Sequence, residues 1–547
     1  MYSQTDKLRL LVSGNSKQQT EIIDSIGYQK THSDFNALNS EFKTLKKDLS
    51  LLGFFDLTEL ESLQKKDSIY FSKIDIGNRY KKITLYIPNN QKALRQYIER
   101  LSIPIRNDSI EVDTPFAKAF LEQLSLLASE DGKPFTSFQF RQITKKSKKI
   151  LAGILHSTED TTRYIDNIVI KDYENISQGF LKYYAGFKTG KAFNQSELIT
   201  QSDALDKLPF ITIKKDPEVL FTNDSTTVYV YASRKSNNRF DGFIGFATNE
   251  ETNRLRLDGY LDLVLTNNLN YGEQLTLNYK SDGDDQQQLN IKATLPYLFK
   301  SPIGAEFQLA LFRKDSTFSE TSQTVSLFYQ LGRQTKASLG YKRKQSENLQ
   351  DNFTNTNILN YTQDRVLGAF DYTVLENNVL FPERTVFNTT LEAGVRNTDN
   401  MRETQFSIDT KLQHTFKLNA KNHIFLRNKT QTLISDNFLT NELFRFGGII
   451  SIRGFEENSI FANLQSTLNT EYRYILAPTL YIHSIIDAGY FENELLDQRS
   501  RLFSIGFGAG ILTKSGVFKI NIANGRNEDQ ELLLSNTRIH LRLEARF

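Results

Sequence analysis

Residues 255–265 read Leu255-Arg256-Leu257-Asp258-Gly259-Tyr260-Leu261-Asp262-Leu263-Val264-Leu265, and their period decides the fold. Leu255, Leu257, Leu261, Leu263 and Leu265 alternate with Arg256, Asp258, Tyr260 and Asp262, so an extended chain carries one apolar and one polar face. Leu275, Leu277 and Tyr279 oppose Gln274, Thr276 and Asn278 in the same way. Similar segments begin near 239, 287, 305, 323, 335, 358, 385, 403, 421, 461, 479, 500, 516 and 537, which with these two gives about sixteen. Single-chain bacterial barrels use an even number, and about ten tilted residues cross the hydrocarbon layer. A soluble β-sandwich also alternates, but its strands are shorter and its polar face looks outward. The segment 238–547 is therefore expected to form a transmembrane antiparallel β-barrel, apolar toward lipid and polar toward a wet lumen.

Composition agrees with that expectation. The 547 residues are 24% charged, with a mean hydropathy of -0.44, yet 12% are aromatic, including Phe 40 and Tyr 24. So large an aromatic payload excludes a disordered chain. No run approaches the roughly 18 apolar residues of a spanning helix, which leaves a barrel as the only way to satisfy backbone polar groups inside a bilayer. Cys 0 rules out disulfides, thiolate metal sites and cysteine nucleophiles, and Trp 0 means that Tyr and Phe must build any interfacial girdle. A net charge of +3 gives no footprint for nucleic acid. Met1 to Asp6 shows neither a basic n-region nor an apolar h-region, so an export signal is expected to have been removed.

Before residue 238 helical and strand periods mix. Leu8 to Val12 reads as a strand, and Leu38, Phe42, Leu45, Leu49 and Leu52 recur at helical spacing up to Gly53. Ser68 to Ile74 and Lys82 to Ile87 read as strands that complete a β-α-α-β-β order. Thr114 and Pro115 open a helix carrying Phe116, Phe120, Leu124 and Leu127, followed by strands near Ser137 to Ile143 and Ile150 to Leu155. Tyr164 to Ile170 is a strand, and Phe180, Tyr184 and Phe187 stripe a helix. Asn194 with Glu197 caps another helix, and Glu218 to Phe221 and Thr227 to Tyr231 close the unit. The expected domains are 5–87, 88–160 and 161–236, with two or three copies of one module, since only one helix is clear between 88 and 160.

The last hundred residues concentrate the candidate functional groups. The segment from about Asp436 to Ile460 is long for a turn, and Gly447, Gly448 and Gly454 permit close approach or left-handed backbone within it. Arg453 lies among them with a rigid five-donor fork suited to carboxylates. On the next strand Leu464, Leu468, Tyr472, Tyr474 and Leu476 share one parity, which turns Gln465, Asn469, Glu471 and Arg473 inward. Leu480, Ile482, Ile486 and Tyr490 face lipid on the following strand, so Asp487 points inward as well. Two inward acids beside a loop arginine have the geometry of an internal ion-pair lock.

In this order and parity, the double glycine, the Ile452-Arg453-Gly454-Phe455 tip, Glu471, Asp487 and the terminal Phe547 resemble the BamA/TamA superfamily of outer-membrane assembly barrels. The resemblance implies a loop folded back into the barrel, with its Arg-Gly-Phe tip on acids of this kind. The β-α-α-β-β modules resemble POTRA domains, which are periplasmic and bind polypeptide. A terminal aromatic on a strand where Ile539, Leu541, Leu543 and Ala545 alternate with His540, Arg542 and Glu544 looks like the outer-membrane β-signal. The implied function is insertion or assembly of other barrel proteins. Unfolded clients would be captured on module strand edges by β-augmentation, and a seam would open between the last barrel strand and the first, near Phe240 to Ala247. Gly242 and Gly245 weaken that first strand, and Ile244 and Leu543 mark the two sides of the seam. The alternative is a two-partner secretion transporter that exports a polypeptide through the lumen. Outer-membrane lipid and accessory subunits are the other expected partners.

Enzyme chemistry finds no support. Gly186, Gly190 and Lys191 miss the phosphate-loop spacing by one, and Ala192 replaces its hydroxyl residue. His32, His156, His414, His423, His483 and His540 lack metal-ligand spacing, no serine sits in a nucleophile elbow, and no cofactor is expected. Gly506, Gly508 and Gly510 share one face of a strand, where they are read as easing close packing.

Overall fold

The structure, a computed structural model, describes residues 7–547 apart from 159, 174, 236, 249–254, 282–285, 351–356, 377, 514–515, 529–532, 534–535 and 546–547. At 241, 243–248, 255–258 and 543–545 only the backbone is described. Two compact units divide the chain: Met1–Ile168 with Thr189–Ile199 and Val219–Val228, and Val169–Lys188 with Thr200–Glu218 and Tyr229–Phe547.

The first module builds a sheet in the order Thr31–His32, Leu8–Gly14, Ile69–Asp75, Thr58–Lys66. Leu8–Gly14 runs parallel to Ile69–Asp75, a pairing that needs a crossover, supplied here by helices Lys17–Ile26 and Phe35–Leu51. Asp34 caps the longer helix by accepting from the Ala37 N–H at 2.9 Å. That helix buries Leu38, Phe42, Leu45 and Leu49, the stripe its spacing predicts.

One strand changes modules. Lys82–Tyr86, expected to finish the first module, is an inner strand of the second sheet, ordered Ser109–Asp113, Lys82–Tyr86, Ile150–Thr158, Ser137–Lys145. It pairs parallel with Ile150–Thr158 and antiparallel with Ser109–Asp113, so the expected boundary at residue 87 falls after a strand of the next sheet. Its place in the first sheet belongs to Thr58–Lys66, an exposed edge strand whose charged sequence carries no apolar period. The second module also has two helices, Lys92–Arg100 and Ala117–Glu130. A third sheet follows in the order Ile211–Phe221, Thr226–Arg234, Asn167–Lys171, and the stripe at Phe180 forms a short π-helix, Phe180–Ala185. Asn194 Oδ1 accepts from the Glu197 N–H at 2.8 Å, as a capping residue should.

From Arg239 the chain forms a sixteen-stranded sheet in which each strand pairs antiparallel with the next in sequence. It begins with Arg239–Thr248 and ends with Thr537–Ala545. Most expected starts fall within three residues of the observed ones; the strand expected at 323 begins at Phe318. Burial is inverted relative to a water-soluble protein: Leu339, Val366, Ile505 and Phe507 are exposed, whereas Gln363, Arg365, Gln405 and Gln465 are buried. An apolar exterior around a polar interior is what a lipid-embedded barrel requires. Among the described residues no helix is long and apolar enough to cross a bilayer. The fold is thus a transmembrane antiparallel β-barrel preceded by α/β modules with mixed sheets.

Candidate functional site

Two strands set the floor of the site. Leu464–Ala477 and Leu480–Asn493 pair antiparallel with Asn469 opposite Asp487. Their alternation exposes Leu468, Tyr472, Ile482 and Ile486 and buries Gln465, Asn469, Glu471, Arg473 and Asp487 on the lumen side. The segment before them, from Ser435 to Asn463, folds inward as a small hairpin of Phe444–Phe446 with Ile460–Ala462. Gly447, Gly448 and Gly454 adopt φ of 115°, 87° and 82°, values that favour glycine. A Cβ on Gly447 would stand 2.2 Å from the Glu456 carbonyl oxygen, so the hairpin mouth has no space for a side chain there.

Arg453 is brought to both acids. Its Nε and Nη2 lie 2.8 and 2.6 Å from the two carboxylate oxygens of Asp487, and its backbone N–H also donates to Asp487 at 3.1 Å. Nη1 bonds Glu471 Oε1, and the second oxygen of Glu471 accepts from Arg473 Nε at 2.7 Å. Arg453, Glu471 and Asp487 are 3%, 7% and 1% exposed, so the cluster is buried. Burial opposes the Arg453 charge, but hydrogen bonds to Asp487 and the fields of Glu471 and Asp487 hold its guanidinium above the ordinary range. The neighbours Ile452 and Phe455 join Phe446, Ala462, Phe491 and Leu502 in an apolar cluster that seats the tip. Gly454 lies so close to the wall that a Cβ would be 2.6 Å from the Gly525 nitrogen.

Several partners of the loop were not foreseen. The Gly454 N–H donates to His540 Nε2 at 3.2 Å, which joins the tip to the last strand. Asn469 Nδ2 donates to the Ser451 carbonyl at 2.7 Å. At the loop base the buried Arg396 bonds Glu442 and Glu403, while Glu442 also takes the Leu439 N–H at 2.9 Å. Midway, Arg445 Nη2 and Lys344 Nζ lie 2.6 and 2.7 Å from Glu320. Strand parity was the signal available for Arg396 and Glu320, both on inward positions. Which inward charge meets which loop residue is set by the loop's path, which strand parity does not encode.

The seam residues are placed less fully. Gly242 lies in the first barrel strand opposite Leu261, and a Cβ there would be 2.4 Å from the Tyr260 carbonyl oxygen. In backbone register Ile244 and Gly245 stand opposite Gly259 and Asp258, and Leu543 opposite Phe518. Phe547 lies outside the described residues. The face carrying Gly506, Gly508 and Gly510 turns to the lumen, where Cβ atoms on the latter two would meet His483 and Tyr481 within 2.6 and 2.1 Å. Among the described residues no group of three or more His, Asp or Glu side chains converges as a metal site.

Residues 267–537 match the Omp85 superfamily domain. No curated protein sequence matches the chain. Among solved structures the chain is similar to BamA from Haemophilus ducreyi lacking POTRA domains 1-3, at 14% identity and a TM-score of 0.55 over 84% of this chain and 97% of that one. It is similar also to CdiB from Escherichia coli, at 12% identity and a TM-score of 0.52 over 92% and 97%. At such identities the likeness establishes the fold. Laid over a sixteen-stranded barrel that holds an inward arginine-tipped loop, residues 267–537 of this chain form an Omp85 superfamily domain.

Proposed function

We propose that this protein is an outer-membrane assembly factor that inserts other barrel proteins through the seam between its first and last strands. The N-terminal modules lie in the periplasm and capture unfolded outer-membrane proteins on strand edges such as the exposed Thr58–Lys66. Lipid and accessory subunits complete its surroundings, and the protein carries out no catalysis of its own. The Arg453, Glu471 and Asp487 cluster acts as a lock that keeps the loop inside the barrel during this work.

The observation that carries the reading is the set of three ionic anchors along one loop, where Glu442, Arg445 and Arg453 meet Arg396, Glu320 and Asp487 of the barrel wall. Export through the lumen, the reading suited to a two-partner transporter, has to displace that loop and strip buried charges of their partners at about 3–5 kcal/mol each. Parting the terminal strands leaves the anchors in place. Gly242 favours the same route, because a glycine in a strand adds ordering entropy and no packing.

The absence of cysteine gives a clean test. Cysteines scanned near Ile244 and Leu543 are oxidised to tie the seam, keeping pairs whose Cα separation is about 4.4–6.8 Å. Insertion of client barrels into liposomes is expected to stop when the seam is tied and to resume on reduction. Full insertion by the tied protein refutes the lateral route. Export that survives this tie but stalls when the Arg453 loop is tethered to the wall establishes the transporter instead.

A further inference from the structure

Beneath the loop tip the lumen contains a cavity of about 550 Å³. Ile449 and Arg453 roof it, and the turn bearing Leu380, Phe381 and Pro382 floors it. Among its described lining residues seven are Lys or Arg and three are Asp or Glu. Two of the three carboxylates are paired with arginines, and the third, Glu383, is hydrogen-bonded to a neutral amide with its charge near Lys411. Glu471 takes Arg453 and Arg473, Asp262 takes Arg239, and Glu383 accepts from Gln413 at 3.1 Å. Asp487 stands behind Arg453 and is bonded to it.

Two of the basic groups matter most. Arg427 faces the cavity and holds only a neutral acceptor, with Nε and Nη2 at 2.9 and 2.8 Å from Asn469 Oδ1. Lys411 has no hydrogen-bond or ion-pair partner among the described residues. Gln413 stands opposite Arg427 in the strand register, which makes Lys411 the diagonal neighbour of Arg427 on the inward face. Diagonal pairs of this kind lie roughly 7–8 Å apart. Glu383 lies within electrostatic reach of Lys411, and Glu471 and Asp487 within reach of Arg427, but none forms a direct ion pair with them, so two like charges withdrawn from bulk water repel each other and lose solvation. An anion that reaches both relieves both costs. The guanidinium fork matches phosphate oxygens in pairs, and the ammonium adds a point charge at the other end. The cavity also falls within the range of roughly 300–1,000 Å³ typical of small-molecule sites.

We propose that this cavity is a binding site for a small phosphate-bearing polyanion of the diphosphate class, held between Lys411 and Arg427. Its phosphates come either from a free solute or from the headgroup of a diphosphorylated lipid admitted to the lumen.

The test is calorimetric titration of the full-length protein with pyrophosphate at matched ionic strength, in detergent and in nanodiscs. Saturable binding of one pyrophosphate per chain is expected, at least ten-fold weaker in Lys411→Gln and in Arg427→Gln. Arg427→Lys should recover part of the loss, and Lys421→Gln, an exposed turn residue, should change nothing. Lys411 has no partner to lose, so its variant retains the fold, which retention of heat-modifiable migration verifies. Nanodiscs of zwitterionic lipid should leave pyrophosphate binding intact. If the natural source is a headgroup, nanodiscs containing a diphosphorylated lipid block it; if the source is a free solute, they do not. Absence of saturable binding, or equal affinity in the wild type and both Gln variants, overturns the site. No insertion or export assay enters, so that failure leaves the assembly reading standing.

Discussion

Replacing Arg453 by alanine should unseat the loop, and the cost can be worked from its contacts. Asp487 loses both side-chain bonds and keeps only the backbone N–H of residue 453, at 3.1 Å. Glu471 keeps Arg473 at 2.7 Å, so it is not stranded. One buried carboxylate is therefore left without a cation, and breaking such a pair costs about 3–5 kcal/mol. At about 1.4 kcal/mol per tenfold, the seated loop loses roughly two to three and a half powers of ten in equilibrium constant. Two assays read this: urea titration of the heat-modifiable form, and maleimide labelling of Ser451→Cys, a position 6% exposed in the seated loop. Arg453→Ala should lower the urea midpoint and make the cysteine reactive. Adding Asp487→Ala should recover part of the loss, because removing both members of a buried pair is often close to neutral, and contacting residues couple by about 0.5–3 kcal/mol. A wild-type urea midpoint together with an unlabelled cysteine in Arg453→Ala would refute this reasoning. So would a double variant that loses the full sum of the single effects.

Arg396→Met strands Glu442 and Glu403 at the loop base, and should lower the urea midpoint by an amount similar to Arg453→Ala. Gly454→Ala places a Cβ 2.6 Å from the Gly525 nitrogen at a φ of 82°, so Ser451→Cys should become reactive with every charged anchor intact; backbone strain of that kind is worth about 1–3 kcal/mol. Deleting Phe547 should reduce the outer-membrane level of the protein itself, measured by fractionation, if the terminal aromatic serves as an assembly signal.

The barrel was legible because lipid imposes a uniform rule on every strand. Apolar side chains at alternate positions face one solvent throughout, so the parity of Leu468, Tyr472, Ile482 and Ile486 fixes the burial of Glu471 and Asp487 without any knowledge of contacts. The modules offered no such rule. Lys82–Tyr86 reads as a strand, but pairing it with Ile150–Thr158 depends on a parallel contact about 70 residues away in sequence. Thr58–Lys66 is an edge strand in which only Leu63 is half-buried against the core, so its strand character leaves no alternating hydrophobic trace. The loop was partly legible. Its glycines and arginine mark a folded inward segment, while the choice of Glu442, Glu320 and His540 as partners depends on where a non-periodic chain meets the wall.

The loop contacts fall into two strengths, and the division bears on how the barrel opens. Residues 454–458 reach both ends of the sheet: Gly454 and Glu456 meet His540 and Arg538 on the last strand, while Glu457 and Asn458 meet Lys280 on the third and Gln286 on the fourth. Both ion pairs here are solvent-exposed, with Arg538 and Glu456 at 49% and 66% and Lys280 and Glu457 at 52% and 39%. Exposed pairs contribute about 0–1 kcal/mol, far less than the buried anchors at Arg396 and Arg453. The clasp over the seam can therefore release while the body of the loop stays bound. Charge reversal of Glu456 and Glu457 to Lys should widen the distance distribution between spin labels at Phe240 and Leu541, both exposed on the terminal strands. The widening should fade toward 1 M salt, where the screening length is about 3 Å, and the urea midpoint should hardly move. If the reversal leaves the distances unchanged at low salt while Arg453→Ala broadens them, the buried lock controls the seam, and the division between clasp and anchor is wrong.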